Sequence, residues 1–211
     1  VIGPVANRLG GAKAPLGKKE LSFAANEGEN LLHSGSKSTL YRFWHLAVEQ
    51  DGILATLEIP HRADGFPGRR TFTAHYAFNE EGDALVLTLG MVSTRDTLAN
   101  MTHHPYWNLG GGAALSGHLL EIPATGVVKV DEALIPTGEI GDWDTLGARF
   151  SQPTSLDLAK GSYDAHLVLP EERPFNARLS YPRLGRTLTI ESDKAGVQMF
   201  TRGGGTLPAP E

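Results

Sequence analysis

The sequence predicts an all-β protein built as an antiparallel sandwich or barrel. Apolar and β-branched residues form short runs that suit strands, and 25 Gly and 13 Pro separate these runs with turns. No stretch keeps a helical apolar stripe over three turns. Many short strands between frequent turns are typical of sandwiches and barrels.

The predicted strands follow one another along the chain. Residues 71–78 and 84–89 form a hairpin around the turn-forming residues 79–83, and residues 53–59 precede it. Further strands are predicted at residues 119–122, 127–130, 178–181, 187–191 and 197–202, with a turn at 182–186. Residues 203–211 are predicted to be a loop or a flexible tail. We find neither a repeat nor a linker, so residues 1–211 are predicted to be a single domain.

Composition excludes several functions. The chain has 211 residues, a net charge of -5 and no basic block, so neither nucleic acid nor an anionic membrane is expected as a partner. The pair Arg69-Arg70 is interpreted as a solvated edge. Cysteine is absent, which excludes disulfides and fits a reducing compartment. No apolar run reaches the roughly 18 residues of a membrane span, and no signal peptide is recognised.

The segment 102–109 holds the residues best suited to chemistry. His103 and His104 can move protons near neutral pH, since the ordinary pKa of His is about 6.5. Tyr106 and Trp107 offer flat faces that suit a sugar ring. The alternative is that these histidines only end a strand and satisfy local backbone groups.

Other polar candidates are scattered, as expected when a sheet gathers a site from distant strands. The Arg8 guanidinium beside Asn7 can hold two oxygens in one plane, although such a pair in a loop is usually surface. His33 lies in a turn-like setting, where a lone His is more often incidental. Asp164 is suited to accept hydrogen bonds from sugar hydroxyls, or equally to cap a local turn.

A metal site is not predicted. His103 and His104 are adjacent, so in a strand they point to opposite faces and do not share one ion. Elsewhere the sequence shows no His-x-x-x-His spacing and no Glu-His pair on one face. The sequence also lacks a serine nucleophile elbow, a phosphate-binding loop and a dinucleotide fingerprint.

Taken together, these segments resemble the aldose 1-epimerase (galactose mutarotase) family. Asn7-Arg8 is similar to the family's Asn-Arg element, and residues 30–35 to its Asn-x-Leu-His-Gly-Gly loop. Residues 103–108 are similar to its Asn-His-Ser-Tyr-Phe-Asn motif. Three other sets complete the match in the expected order: residues 64–68 (Glu-Gly-Tyr-Pro-Gly), residues 134–140 (Ile-Pro-Thr-Gly-Glu) and two later motifs at 163–164 and 196–201. Each motif is weak alone, but six or seven in order make a strong match.

The resemblance implies a large antiparallel β-sandwich of the galactose mutarotase-like (supersandwich) type, with a sugar site on one open face. It implies interconversion of the α and β anomers of free hexoses by ring opening and reclosure. One group takes the proton of the anomeric hydroxyl, and another protonates the ring oxygen. Matched acid and base each contribute about 10²–10⁴-fold, so no cofactor is required.

The resemblance also assigns roles. His104 is the general acid, Arg8 and His33 polarise and orient the ring, and Asp164 and Gln198 hold hydroxyls. The remaining substrate-binding residues are Asn7, Tyr106 and Trp107. Pro105, Ser34 and Ala165-His166 depart from the family pattern. The family's base Glu, in a Leu-Glu-Thr/Pro-Gln-type motif, is not found in the chain, and we expect both ends to be incomplete.

Three alternatives remain open at the level of sequence. The protein is a hexose-6-phosphate 1-epimerase if Arg69-Arg70 or Arg8 meets a phosphate. It is a non-catalytic carbohydrate-binding protein if the missing Glu has no substitute. It is an inactive fragment if the remaining strands are needed for folding. A small-molecule aldose is the expected partner, the protein is expected to be a monomer or homodimer, and the location is expected to be cytoplasmic.

Overall fold

The computed structural model describes residues 1–112, 115–156 and 162–201. Within them regular structure is almost entirely β-strand, as predicted, and helix is limited to short 3-10 turns at Gly10–Ala12, Thr39–Tyr41, Trp143–Leu146 and Pro182–Leu184. No helix in these ranges is long and apolar enough to cross a membrane. Contacts divide the chain into two compact units, Val1–Pro105 and Tyr106–Glu211. A single domain over residues 1–211 stays a prediction.

The first unit contains a four-stranded antiparallel sheet and two smaller strand pairs. Its strands are β1 (Arg8–Leu9), β2 (Lys13–Leu16), β3 (Lys19–Ser22), β4 (Leu31–Leu32), β5 (His45–Val48), β6 (Gly52–Ile59), β7 (Arg70–Phe78) and β8 (Leu85–Ser93). The large sheet has the order β5-β6-β7-β8, β1 pairs with β4, and β2 pairs with β3. The predicted strand 53–59 is therefore confirmed as β6, and the predicted hairpin as β7 and β8.

One side chain closes the turn of that hairpin. Asn79 Oδ1 accepts hydrogen bonds from the backbone N–H groups of Asp83 at 3.0 Å and Ala84 at 2.9 Å. Asn favours turns because its side chain can replace backbone partners in this way. The turn predicted at residues 79–83 is thus explained by its first residue.

Arg70 is fully buried, and the interpretation of Arg69-Arg70 as a solvated edge is wrong for this residue. Arg70 Nη2 donates to Asp64 Oδ1 at 2.7 Å, and Nη1 donates to Asp64 Oδ2 at 3.1 Å. The Asp64 side chain has no exposed surface either. Two buried charges are stable only when they are paired in this way. The ion pair therefore holds the turn at residues 64–68 against the start of β7.

The second unit is a sandwich of two four-stranded antiparallel sheets. Its strands are β9 (Leu119–Glu121), β10 (Gly126–Val130), β11 (Pro136–Gly141), β12 (Thr154–Ser155), β13 (Asp164–Val168), β14 (Ala177–Tyr181), β15 (Arg186–Ile190) and β16 (Gly196–Phe200). The sheets have the orders β12-β9-β14-β15 and β11-β10-β13-β16. Leu120 and Leu179 of one sheet share a buried core with Val127 and Leu167 of the other.

The five strands predicted in this unit correspond to β9, β10, β14, β15 and β16, with ends that differ by one or two residues. The predicted turn at 182–186 contains the 3-10 turn Pro182–Leu184. Arg202, the predicted end of the last strand, and the predicted tail at 203–211 lie outside the described residues.

Candidate active site

The first unit brings together three segments that are far apart in the sequence. Pairing of β1 with β4 sets Arg8 opposite Leu32, one residue from His33. The His33 N–H donates to the Asn7 carbonyl at 3.0 Å, and the Asn7 N–H donates to His33 Nδ1 at 3.0 Å. The His104 ring meets the His33 ring edge-on, with centroids 5.8 Å apart and planes at 88°.

These contacts determine which His33 nitrogen carries the proton in the neutral ring. Nδ1 accepts from the Asn7 backbone, so it holds a lone pair rather than a hydrogen. The proton of neutral His33 is therefore on Nε2, which makes that atom a hydrogen-bond donor for a ligand oxygen.

A carboxylate holds Arg8 in one orientation. Arg8 Nε donates to Glu27 Oε2 at 2.6 Å, and Nη2 donates to Oε1 at 3.0 Å. Nη1 donates to the Asn7 side-chain oxygen at 3.1 Å. The Arg8 side chain is only 11% exposed, so this fork has little freedom to move. Sequence reasoning missed Glu27, which belongs to none of the motifs.

The backbone at these positions is strained. Asn7, His33 and Ser34 have φ values of 59°, 52° and 62°, in the left-handed region that residues other than Gly rarely adopt. Such strain collects at functional sites, where the surrounding structure holds it. The Ser34 hydroxyl donates to the Val5 carbonyl at 2.7 Å and accepts from the Val5 N–H at 2.8 Å. This bridge is what Ser34 adds where the family pattern has Gly.

His103 and His104 lie outside any strand, so the alternation expected of a strand does not apply, and the two rings face different neighbours. The His103 ring meets Tyr76 of β7, with centroids 5.8 Å apart and planes at 74°. Burial lowers the pKa of His103, and repulsion from His104 acts in the same direction. The lowered pKa favours the neutral form of His103, whereas the ring that meets His33 belongs to His104.

In the second unit, Asp164 and Gln198 lie side by side on one face of a sheet. Asp164 pairs with Phe200, and His166 pairs with Gln198, across β13 and β16. The alternating residues, such as Ala165 and Met199, are buried in the core, so the polar set lies on the opposite face. Asp164 begins strand β13, and its carboxylate lies beside the Gln198 amide.

Hydrogen bonds orient the Gln198 amide. Gln198 Nε2 donates to Asp164 Oδ1 at 2.7 Å, and His166 Nδ1 lies 3.3 Å from Gln198 Oε1. His166 thus orients a predicted binding residue, a role that the sequence did not indicate. It stands at one of the positions that depart from the family pattern.

Tyr106 packs against Phe200, which lies on the same face as Asp164. The Tyr106 ring meets Phe200 edge-on, with centroids 6.1 Å apart, and Trp107 is 44% exposed. The buried His118 ring fixes the loop that follows, because its Nε2 accepts from the N–H groups of Leu109 at 2.9 Å and Gly110 at 3.2 Å. Sequence reasoning did not single out His118 either.

The family model for aldose 1-epimerase matches residues 1–207. The chain belongs to the aldose 1-epimerase family. It is 31% identical to a galactose mutarotase of Bos taurus, over 95% of this chain and 61% of that protein. It is 31% identical to an aldose 1-epimerase of Streptococcus thermophilus, over 79% of this chain and 50% of that protein.

Solved structures of the family share the fold. An aldose epimerase homologue from C. elegans superposes with a TM-score of 0.86 and 25% identity, over 94% of this chain and 63% of that chain. This confirms the predicted fold type. The chain spans about three fifths of the length of the galactose mutarotases it matches.

One expectation about this aldose 1-epimerase family member is wrong. The sequence showed no Glu-His pair on one face, but His75 Nε2 lies 3.7 Å from Glu49 Oε2 and 3.4 Å from Asp51 Oδ1. The three side chains come from a hairpin turn and the neighbouring strand β7. Strand pairing brings the three side chains together. Spacing along a single element cannot reveal such a group.

Proposed function

We propose that the protein is an aldose 1-epimerase that interconverts the α and β anomers of free hexoses. The observation that carries the proposal is the grouping of Asn7, Arg8, His33 and His104, whose residues come from three distant segments. Membership of the aldose 1-epimerase family supports the reaction. The name of the Bos taurus relative makes galactose the first sugar to test.

In the proposed mechanism, His104 protonates the ring oxygen while a base takes the proton of the anomeric hydroxyl. The hemiacetal opens, the aldehyde end rotates, and the ring closes with the two roles reversed. Nε2–H of His33 and the guanidinium of Arg8 donate hydrogen bonds that polarise and orient the ring. The base Glu that the resemblance implies is not assigned to any residue of the chain.

Asp164 and Gln198 are proposed to hold sugar hydroxyls. The Asp164 carboxylate accepts from a hydroxyl, and the Gln198 amide is already oriented by Asp164 and His166. Tyr106 and Trp107 offer their ring faces to the apolar side of a sugar. No cofactor takes part in this scheme. We further propose that the protein acts in the cytoplasm as a monomer or homodimer.

A hexose-6-phosphate is less well supported as the substrate. Arg70 is buried against Asp64, so it is not available to a phosphate. The guanidinium of Arg8 is engaged by the Glu27 carboxylate, which offsets the positive charge that a phosphate would seek. Of the three arginines considered as phosphate ligands, Arg8, Arg69 and Arg70, Arg69 alone is exposed.

The test is anomer exchange measured by NMR on freshly dissolved α-galactose, α-glucose and their 6-phosphates. We expect exchange of the free sugars well above the rate in buffer. Strong preference for the phosphorylated sugars would support the hexose-6-phosphate alternative. Binding of free sugar by folded protein without faster exchange would show a carbohydrate-binding protein and refute the epimerase.

A further inference from the structure

A tight hairpin turn places two carboxylates over strand β7. The Glu49 N–H donates to the Gly52 carbonyl at 2.9 Å, which leaves Gln50 and Asp51 as the loop between β5 and β6. A Cβ on Gly52 would strike the carbonyl oxygen of Tyr76, so only glycine permits this close approach to β7. The turn therefore packs closely against β7, the strand that carries His75.

The distances within this group suit a shared metal ion better than hydrogen bonds. His75 Nε2 lies 3.4 Å from Asp51 Oδ1 and 3.7 Å from Glu49 Oε2, beyond the usual range of about 2.7–3.2 Å. Tetrahedral ligands on bonds of about 2.0–2.1 Å are separated by roughly 3.3 Å. One ligand atom from each of the three side chains lies within 4.8 Å of the others.

A second observation concerns the imidazole nitrogen itself. His75 Nε2 is shut off from solvent and has no hydrogen-bond partner among the described residues. The whole side chain is only 25% exposed. A buried polar atom without a partner is unfavourable and needs an explanation. A cation between Nε2 and the two carboxylates would satisfy it.

From these observations we propose that Glu49, Asp51 and His75 form a binding site for one divalent zinc-type cation. One imidazole with two carboxylates is a donor set suited to Zn²⁺, whereas Mg²⁺ and Ca²⁺ prefer oxygen alone. Exposure of Glu49 and Asp51 leaves room for water in the remaining positions. The bound ion would tie the β5–β6 turn to β7.

This site is separate from the residues assigned to the sugar. None of Glu49, Asp51 and His75 has a role in the proposed reaction, so metal binding and anomer exchange are tested independently. Zinc binding at this site is therefore tested independently of epimerase activity.

The experiment is calorimetric titration of the chelator-treated protein with ZnCl₂ in a non-coordinating buffer. We expect saturable binding of one ion that His75→Gln and Asp51→Asn each weaken by more than about tenfold. Asp51 is exposed in a turn, so Asp51→Asn is expected to fold normally. It therefore tests the site even if His75→Gln fails to fold.

Two control variants test whether the binding belongs to this site. Glu80→Gln removes an exposed carboxylate in the next turn of the sheet, and His45→Gln removes an exposed imidazole on β5. Both are expected to bind Zn²⁺ like the wild type. Absence of saturable binding by folded wild-type protein would overturn the proposal. Equal binding by the Asp51 and Glu80 variants would also overturn it.

Discussion

At the scale of single residues, the chemistry proposed for this chain depends on side chains that hold others in place. Asn7 fixes the proton of His33 on Nε2 through its own backbone N–H. Glu27 holds Arg8 by two hydrogen bonds, and His166 orients Gln198. Each of these contacts limits the freedom of a group that is proposed to touch the sugar.

Replacement of Glu27 by Gln is expected to slow anomer exchange by about ten- to a hundredfold, because a small misplacement of Arg8 is costly in a preorganised site. The test compares kcat/KM for galactose in the wild type and in Glu27→Gln.

Glu29→Gln is the matched control, since Glu29 lies two residues away and is exposed. The control is expected to retain wild-type kcat/KM. An unchanged kcat/KM in Glu27→Gln would show that the carboxylate does not position Arg8.

The sequence identified the residues that motifs contain and missed those that support them. Asn7, Arg8, His33 and His104 each lie in a segment with a recognisable pattern, and they meet in the first unit as a group. Glu27, His118 and His166 act through contacts with residues that fold next to them. No periodicity or spacing along the chain encodes such contacts, so no pattern indicated them.

At the scale of elements, strands with an apolar or β-branched run were predictable and irregular strands were not. Strand β7 carries aromatic and β-branched residues over its whole length. Strand β2 contains Pro15, and β11 contains Pro136 and Gly138, residues that usually argue against a strand. Tertiary pairing overrides local preference in these elements.

The turn at residues 64–68 provides a stability prediction. Asp64→Asn leaves the buried Arg70 without its charge partner and is expected to lower the free energy of unfolding by about 3–5 kcal/mol. Urea unfolding followed by circular dichroism measures this change.

The neighbouring Arg69 supplies the comparison. Arg69→Gln removes an exposed charge and is expected to change the free energy of unfolding by less than about 0.5 kcal/mol. If Asp64→Asn were as mild as Arg69→Gln, the ion pair would not fasten the turn to β7.

At the scale of the whole molecule, the fold and the family are consistent with one another. The all-β architecture predicted from turn-separated strands is that of the family's solved structures. The motifs from Asn7 to Thr201 fall within the region that the family model matches. Family membership and the clustering of His104 with His33 together support a reaction that transfers protons on a sugar.

We propose that His104, and not the neighbouring His103, transfers a proton during anomer exchange. The most direct measurement is the NMR exchange rate of α-galactose with wild-type protein, His104→Gln and His103→Gln. We predict that His104→Gln loses about 10²–10⁴-fold in rate, whereas His103→Gln, whose ring faces Tyr76, retains most of it. Equal rates in the two variants, or full activity in His104→Gln, would refute the assignment of His104 as the proton donor.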